Sequence, residues 1–306
     1  MTRFIVRRLL VTIPMILVVV TLTWGLIRLA PGNFYASERG LPAAVEQNIR
    51  VKYGLDRPWY EQYGRVMAAT LRGDMGTSLS YDGQPVNEIL RRTIPVSAGL
   101  GLLAYLLALS VGVTTGTLAA LRQNSRLDYS SMGLAMLGIS LPNFVLGPLL
   151  VLLFSLTLYW LPPARWDGLF SRSVVLPVLT LSAIYMAYIA RLMRAGMLEV
   201  LRSDYIRTAR AKGLNERHVV LRHAMRGGVL PVVSFSGPAL AILVTGTVVV
   251  ERIFAIPGVG NYFIQANLNR DEPLILGIVV FISVIILMLN LLVDVAYGFI
   301  DPRVRY

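Results

Sequence analysis

Six stretches of the chain are predominantly apolar over lengths that suit a membrane span. They run over residues 9–29, 96–121, 129–158, 174–198, 229–252 and 275–299. Each reaches the roughly 20 residues an α-helix needs to cross a hydrocarbon core. The third is long enough to tilt or bend, and Pro142 and Pro148 give it a place to do so. Three spans share a start signal: Ile94-Pro95-Val96, Leu176-Pro177-Val178 and Leu230-Pro231-Val232. Proline suits a first helical turn, where its missing N–H has no intrahelical partner to lose. Arg3, Arg7 and Arg8 precede the first span like the charged end of a signal peptide. Its apolar run exceeds the about 7–15 residues of a signal core, so it reads as a permanent anchor. The expected fold class is an all-α membrane protein of six transmembrane helices, a single domain over 1–306.

Two connections are too large to be idle. Residues 30–94 read as a structured external loop. Pro42 opens a helix with Val45, Ile49 and Tyr53 on one face, and Gly54 closes it. Asp56 caps a second helix carrying Trp59, Tyr63, Val66 and Met67. Gly73-Asp74-Met75-Gly76 is a turn, and Pro85 opens an amphipathic piece with Val86, Ile89 and Leu90. The loop is either a cap on the helices or a docking surface for an external partner. Residues 199–228 read as two short helices. Ser203 is the N-cap of the first, Asp204 and Tyr205 open it, Gly213 stands at C′, and Asn215 caps the second. Between them runs Arg207-Thr208-Ala209-Arg210-Ala211-Lys212-Gly213-Leu214. Small residues at 209, 211 and 213 let a partner's backbone come close, and the arginines can pair with carboxylates.

Composition supports the membrane reading. Of 306 residues, 55% are hydrophobic and only 15% charged, against about 25% in soluble proteins. This excludes a soluble enzyme, a nucleic-acid binder and a disordered chain. There is no cysteine, so thiol catalysis, thiolate metal sites and disulfides are closed. The net charge of +12 is placed unevenly: with the N-terminus inside, the inner segments hold 16 of the 29 basic residues but only five of the 17 acids. The charge is therefore first a topology signal, putting both termini of a multi-pass membrane protein in the cytoplasm.

Candidate chemistry is sparse. No GxxxxGK[ST], HExxH or GxSxG is present. His218 and His223 are five apart, on different faces of an α-helix, and no metal site is expected. Asp294 is the acid well inside a span; it shares a face with Asn290 and Tyr297 and reads as a structural pair with Arg303 or Arg305. No chain of carboxylates crosses the spans, which weighs against ion coupling. Ala104, Ala108, Gly112, Gly116 and Ala120 recur at steps of four, a close-packing face within the chain or toward another subunit. For a translocation path the candidates are Asn143 in the third span and Gly237-Pro238 in the fifth. Spans with no energy source and a loop shaped for a partner describe half a transport pore driven by a separate motor.

The 207–214 segment, followed by Arg222-His223-Ala224, resembles the coupling motif of permease subunits of ATP-binding-cassette importers, in the peptide-importer branch. Arg7-Arg8-Leu9-Leu10 through Pro14, Arg28-Leu29-Ala30-Pro31-Gly32, the 73–76 turn, Leu141-Pro142-Asn143-Phe144, the run from Val250-Glu251-Arg252 to Gly258-Val259-Gly260, and Asp301-Pro302-Arg303-Val304-Arg305-Tyr306 resemble the B-type subunit of oligopeptide and dipeptide permeases. Arg39-Gly40-Leu41-Pro42 leans toward the oligopeptide form. One departure is that the general motif opens Glu-Ala-Ala and ends Ile-x-Leu-Pro, whereas here Thr208-Ala209 stand at its opening and the proline comes late, at Pro231. The resemblance implies the type I importer fold, a similar C-type permease as partner, and two ATPase subunits that bind ATP and Mg and hold the 203–217 region. It also implies an extracytoplasmic solute-binding protein that delivers peptide onto the 30–94 loop. No cofactor is implied for this chain. On that reading Ala209→Arg and Gly213→Pro uncouple transport while leaving the protein inserted. The same machine with a nickel chelate, glutathione or sugar acid as cargo, and a stand-alone carrier, are the alternatives.

Overall fold

The computed structural model describes residues 2–29, 47, 51, 54, 56–81, 83–245 and 248–300, with side chains from Leu10 to Val293 within those ranges. In chain order it contains α1 (Thr2–Leu29), α2 (Trp59–Leu71), α3 (Val86–Leu121), α4 (Arg126–Ser140), α5 (Asn143–Leu150), α6 (Val175–Leu201), α7 (Asp204–Ala211), α8 (Leu230–Val244), α9 (Val248–Ile253), α10 (Val259–Leu268) and α11 (Glu272–Ile300). A π-helical turn, Val151–Thr157, extends α5. Glu216–His218, a π-helical turn Val219–Ala224 and Met225–Gly228 form one helical run before α8. Among the described residues the extended pairing is a single bridge, Thr77 to Pro85.

Among the described residues, five helices are long and apolar enough to cross a membrane, or six if α4 and the extended α5 count as one broken span. The third span is therefore not a gently kinked helix: the two parts diverge by 107°. Pro142 occupies the N-cap of α5, and Leu141 before it is held extended at φ −91°, ψ 114°. A residue preceding proline is driven out of the helical region by the ring, which turns a possible kink into a full break. In the fifth span, Leu230–Ile253, α8 is described to Val244 and α9 from Val248. Pro231 lies in the first turn of α8 and Pro177 in that of α6, as expected. Pro95 does not mark a start: it lies inside α3, which begins at Val86 and runs for 36 residues. The amphipathic piece and the second span are one helix.

In the external loop, of the helix expected from Pro42 to Tyr53 only Gln47 and Val51 are among the described residues, both helical, and Gly54 after it stands at φ +66°. The next helix starts later than Asp56 suggests. Pro58 is its N-cap and no side chain caps it. Gly73 and Gly76 both stand at φ +75°, which fixes the expected turn with residues that tolerate it. Helix α10 has no counterpart in the sequence reading.

The chain forms two compact units, Met1–Pro95 with Gly258–Leu287 and Val96–Pro257 with Met288–Tyr306. In the first, Val86, Ile89 and Leu90 bury against Val259, Ala266, Leu274 and Ile278. Asp271, wholly buried, accepts hydrogen bonds from the Ser78 hydroxyl and from the N–H groups of Leu79 and Ser80, both at 3.0 Å. Its other oxygen accepts from Leu274 N–H at the start of α11. One carboxylate thus caps a helix and fastens a loop nearly 200 residues away in sequence.

In the second unit, the small-residue face of α3 meets α6. A Cβ on Gly112 would come within 2.7 Å of Ile189 Cγ2 and 2.9 Å of the Met186 carbonyl. One on Gly116 would collide with the Ala190 carbonyl. The stepwise small residues therefore serve an interface inside the chain. Helix α4 packs on α6 as well, and the pair is pinned by Arg194, which donates to both oxygens of buried Asp128 at 2.6 and 2.7 Å. Asp128 also accepts from Asn124 N–H.

Candidate functional site

The residues singled out between 203 and 214 form one short helix with a built stop. Ser203 stands at the N-cap, but its hydroxyl donates back to the Val200 carbonyl at 2.6 Å and caps nothing in α7. Asp204 opens the helix and pairs with Arg207 at 3.3 Å. Gly213 follows the C-cap Lys212 at φ +76° and donates to the Arg210 carbonyl at 2.9 Å. Asn215 then accepts from Arg217 N–H, capping the next helical run. Arg210 reaches across this turn and donates to both carboxylate oxygens of Glu216, at 2.6 and 3.1 Å. The bidentate geometry spans residues 211–215 like a brace, and the Arg210 guanidinium holds the Glu216 carboxyl below the usual range.

Helix α7 has two unlike sides. Ile206 and Ala209, three apart, are buried with Met197, Val219, Val220 and Ala224. Tyr205 leans on Gly227, where a Cβ would come within 3.2 Å of its hydroxyl. Asp204, Arg207, Thr208, Arg210, Ala211, Lys212, Gly213 and Leu214 are exposed. This corrects one expectation. Ala209 is closed over by its own chain. Of the three small residues, Ala211 and Gly213 face outward.

The π turn explains a second difference. In an α-helix His218 and His223 would point apart. The i→i+5 bonding of a π turn widens the helix and brings them onto one side, and their ring centroids are 5.8 Å apart. Among the described residues no group of three or more His, Cys, Asp or Glu side chains could hold a metal ion.

The path candidates lie on different helices. Asn143 is the half-buried first residue of α5. Gly237 is buried on α8, where a Cβ would meet Val293 of α11 at 3.2 Å, so here it serves helix packing. Pro238 beside it is exposed. Asn290 is half-buried, while the Asp294 and Tyr297 side chains, with Arg303 and Arg305, lie outside the described residues. The sequence reading missed Glu251. It is fully buried on α9 and accepts from the Ser97 hydroxyl of α3 at 2.7 Å. An acid so close to a span end reads as exposed from the sequence, and its partner lies 154 positions away.

Known proteins resemble the chain along its whole length. The profile described as binding-protein-dependent transport system inner membrane component matches residues 112–306. The profile for the N-terminal part of such membrane components matches residues 1–90. The oligopeptide transport system permease protein OppB of Haemophilus influenzae is 44% identical over 306 residues, covering all of both chains. OppB of Escherichia coli K12 is equally similar, with the same coverage. The dipeptide transport system permease protein DppB of Bacillus subtilis is 43% identical over 305 residues, covering 100% of this chain and 98% of that one. Among solved structures, the inward-facing MetNI methionine ABC transporter matches with a TM-score of 0.59 at 14% identity, over 70% of this chain and 96% of that one, a likeness of fold.

Proposed function

The chain belongs to the binding-protein-dependent inner-membrane transport components, and on that premise we propose that it forms half of the translocation pore of an ATP-driven peptide importer. The names of its full-length relatives support peptide as cargo. A similar permease supplies the other half of the pore. Two ATPase subunits bind and hydrolyse ATP with Mg, and an extracytoplasmic binding protein delivers the solute. This chain is the non-catalytic conduit: it has no phosphate-binding loop of its own.

The observation that carries the reading is the division of α7 into an inner and an outer side. Ile206 and Ala209 fasten it to the 216–228 run, while Arg207, Ala211 and Lys212 stand free of the chain's own core. A helix so fastened moves as one body when an ATPase groove moves it, and the run it rests on leads into α8. Alternating access then requires a two-state element biased by nucleotide on one side and loaded binding protein on the other. With the N-terminus inside, α7 is on the ATPase side.

The test is reconstitution. The full chain, co-purified with whatever subunits accompany it, is placed in proteoliposomes, and ATP hydrolysis and peptide uptake are measured together. Ala211→Arg is expected to leave assembly of the chain intact and to abolish uptake. Unchanged uptake in that variant, or purification without any ATPase subunit in several mild detergents, overturns the proposal.

A further inference from the structure

The first unit contains a cavity of about 220 Å³ at the C-terminal end of α1, lined by Trp24, Arg28, Gln62, Arg65, Glu272 and Leu276 among others. Its walls are mostly apolar, but its charged groups are of both signs. The Arg28 guanidinium lies 5.3 Å from the Trp24 ring centroid and donates to Gln62 Oε1. It stays 3.6 Å from the Glu272 carboxylate, beyond hydrogen-bond reach. Arg65 holds its guanidinium against Gly54, where a Cβ would come within 2.6 Å of Nη1. The Trp24 ring meets Tyr63 edge-on at 5.4 Å, closing one side.

Two further observations select a ligand. First, the cavity sits at the polar end of a helix that presents a bare apolar surface: Leu10, Val18, Leu22, Leu26 and Leu29 are all more than half exposed. Trp and Arg at such an end mark the level of lipid headgroups. Second, the volume is below the roughly 300–1,000 Å³ of sites for drug-sized ligands, which suits a headgroup rather than a tripeptide. We propose that this cavity binds the headgroup of a zwitterionic phospholipid with a primary ammonium. Its phosphate lies against Arg28 and Arg65, whose planar forks match phosphate oxygens, and its ammonium donates to the Glu272 carboxylate. A trimethylated ammonium has no N–H to donate there, so the site distinguishes phosphatidylethanolamine from phosphatidylcholine. The inference is independent of the transported cargo.

The chain has four tryptophans, so replacing Trp59, Trp160 and Trp166 by Phe leaves Trp24 as the sole reporter. The full chain is reconstituted in bilayers containing phospholipid with brominated acyl chains, and Trp24 quenching is compared between the two headgroups at equal mole fraction. The ethanolamine lipid is expected to associate about fivefold more strongly, the scale of one charge pairing near a membrane surface. Glu272→Gln, which keeps shape, is expected to abolish that preference, and Arg28→Ala to weaken quenching by both lipids. Equal quenching by the two headgroups in the unsubstituted cavity, or a preference that survives Glu272→Gln, overturns the proposal. Loss of quenching on adding millimolar trialanine, with no such loss on adding O-phosphoethanolamine, assigns the cavity to a soluble peptide and overturns it as well.

Discussion

At the scale of single residues, the coupling segment separates positions held by the chain from positions open to a partner. Ala209→Arg is expected to damage the fold itself. An overpacked core position costs about 1–3 kcal/mol, and the buried guanidinium adds to that. A lowered melting temperature in detergent, alongside an unchanged one for Ala211→Arg, checks this contrast. Gly213 has open space around its missing Cβ, so the cost of Gly213→Ala is the left-handed backbone alone, about 1–2 kcal/mol. Gly213→Asn is expected to be milder, and Gly213→Pro worse, since proline also removes the N–H that donates to Arg210. The Arg210–Glu216 brace gives a pH dependence whose sign follows from Glu216 being held below its unfolded value. Its stabilisation is complete above the unfolded carboxylate pKa of about 4.3 and fades as the pH falls through the folded one. The protection of the 212–215 amides, taken as the exchange rate relative to its intrinsic value at each pH, is expected to fall in acid and to lose that dependence in Glu216→Gln. The capping asparagine and the C′ glycine were legible in the sequence because their effects are local. The inward turn of Ala209 was not, because α7 alone does not say which side the next helical run will cover.

At the scale of elements, the helices announced themselves by length and hydropathy, whereas their interruptions were only half visible. Pro142 and Pro95 carry the same local instruction, yet one breaks a span by 107° and the other rides inside a 36-residue helix. The difference lies in what surrounds them. Val86, Ile89 and Leu90 ahead of Pro95 are buried in the first unit's core, and that packing outweighs the hydrogen bond lost at the ring. The burial of Glu251 and Asp271 was not foreseen for a related reason: the Ser97 and Ser78 hydroxyls that donate to them are distant in sequence. The stepwise small residues of α3 did announce a close interface, and its location in the chain makes a prediction. Gly116→Ala is expected to destabilise by about 1–3 kcal/mol, since it presses on the Ala190 backbone. Gly133→Ala on α4, with open space around it, is expected to be neutral or slightly stabilising. Thermal unfolding of the two variants in one detergent decides.

At the scale of the whole molecule, the orientation proposed from the uneven spread of basic residues can be measured directly. Because the chain has no cysteine, Ala211→Cys and Gly83→Cys are each the single reactive thiol. An impermeant maleimide is expected to label Gly83→Cys in intact cells and Ala211→Cys only after the inner membrane is opened. The reverse pattern inverts the topology and removes α7 from the ATPase side. The π turn at 219–224 carries a last implication, for how the gene can vary. Such a turn holds one residue more than the α turn it replaces. A one-codon deletion there is a phase change: about 100° of rotation would carry Ile206 and Ala209 off their seat and present them to the partner. Insertions and deletions should therefore be rarer across these six codons than in the loop at 158–171.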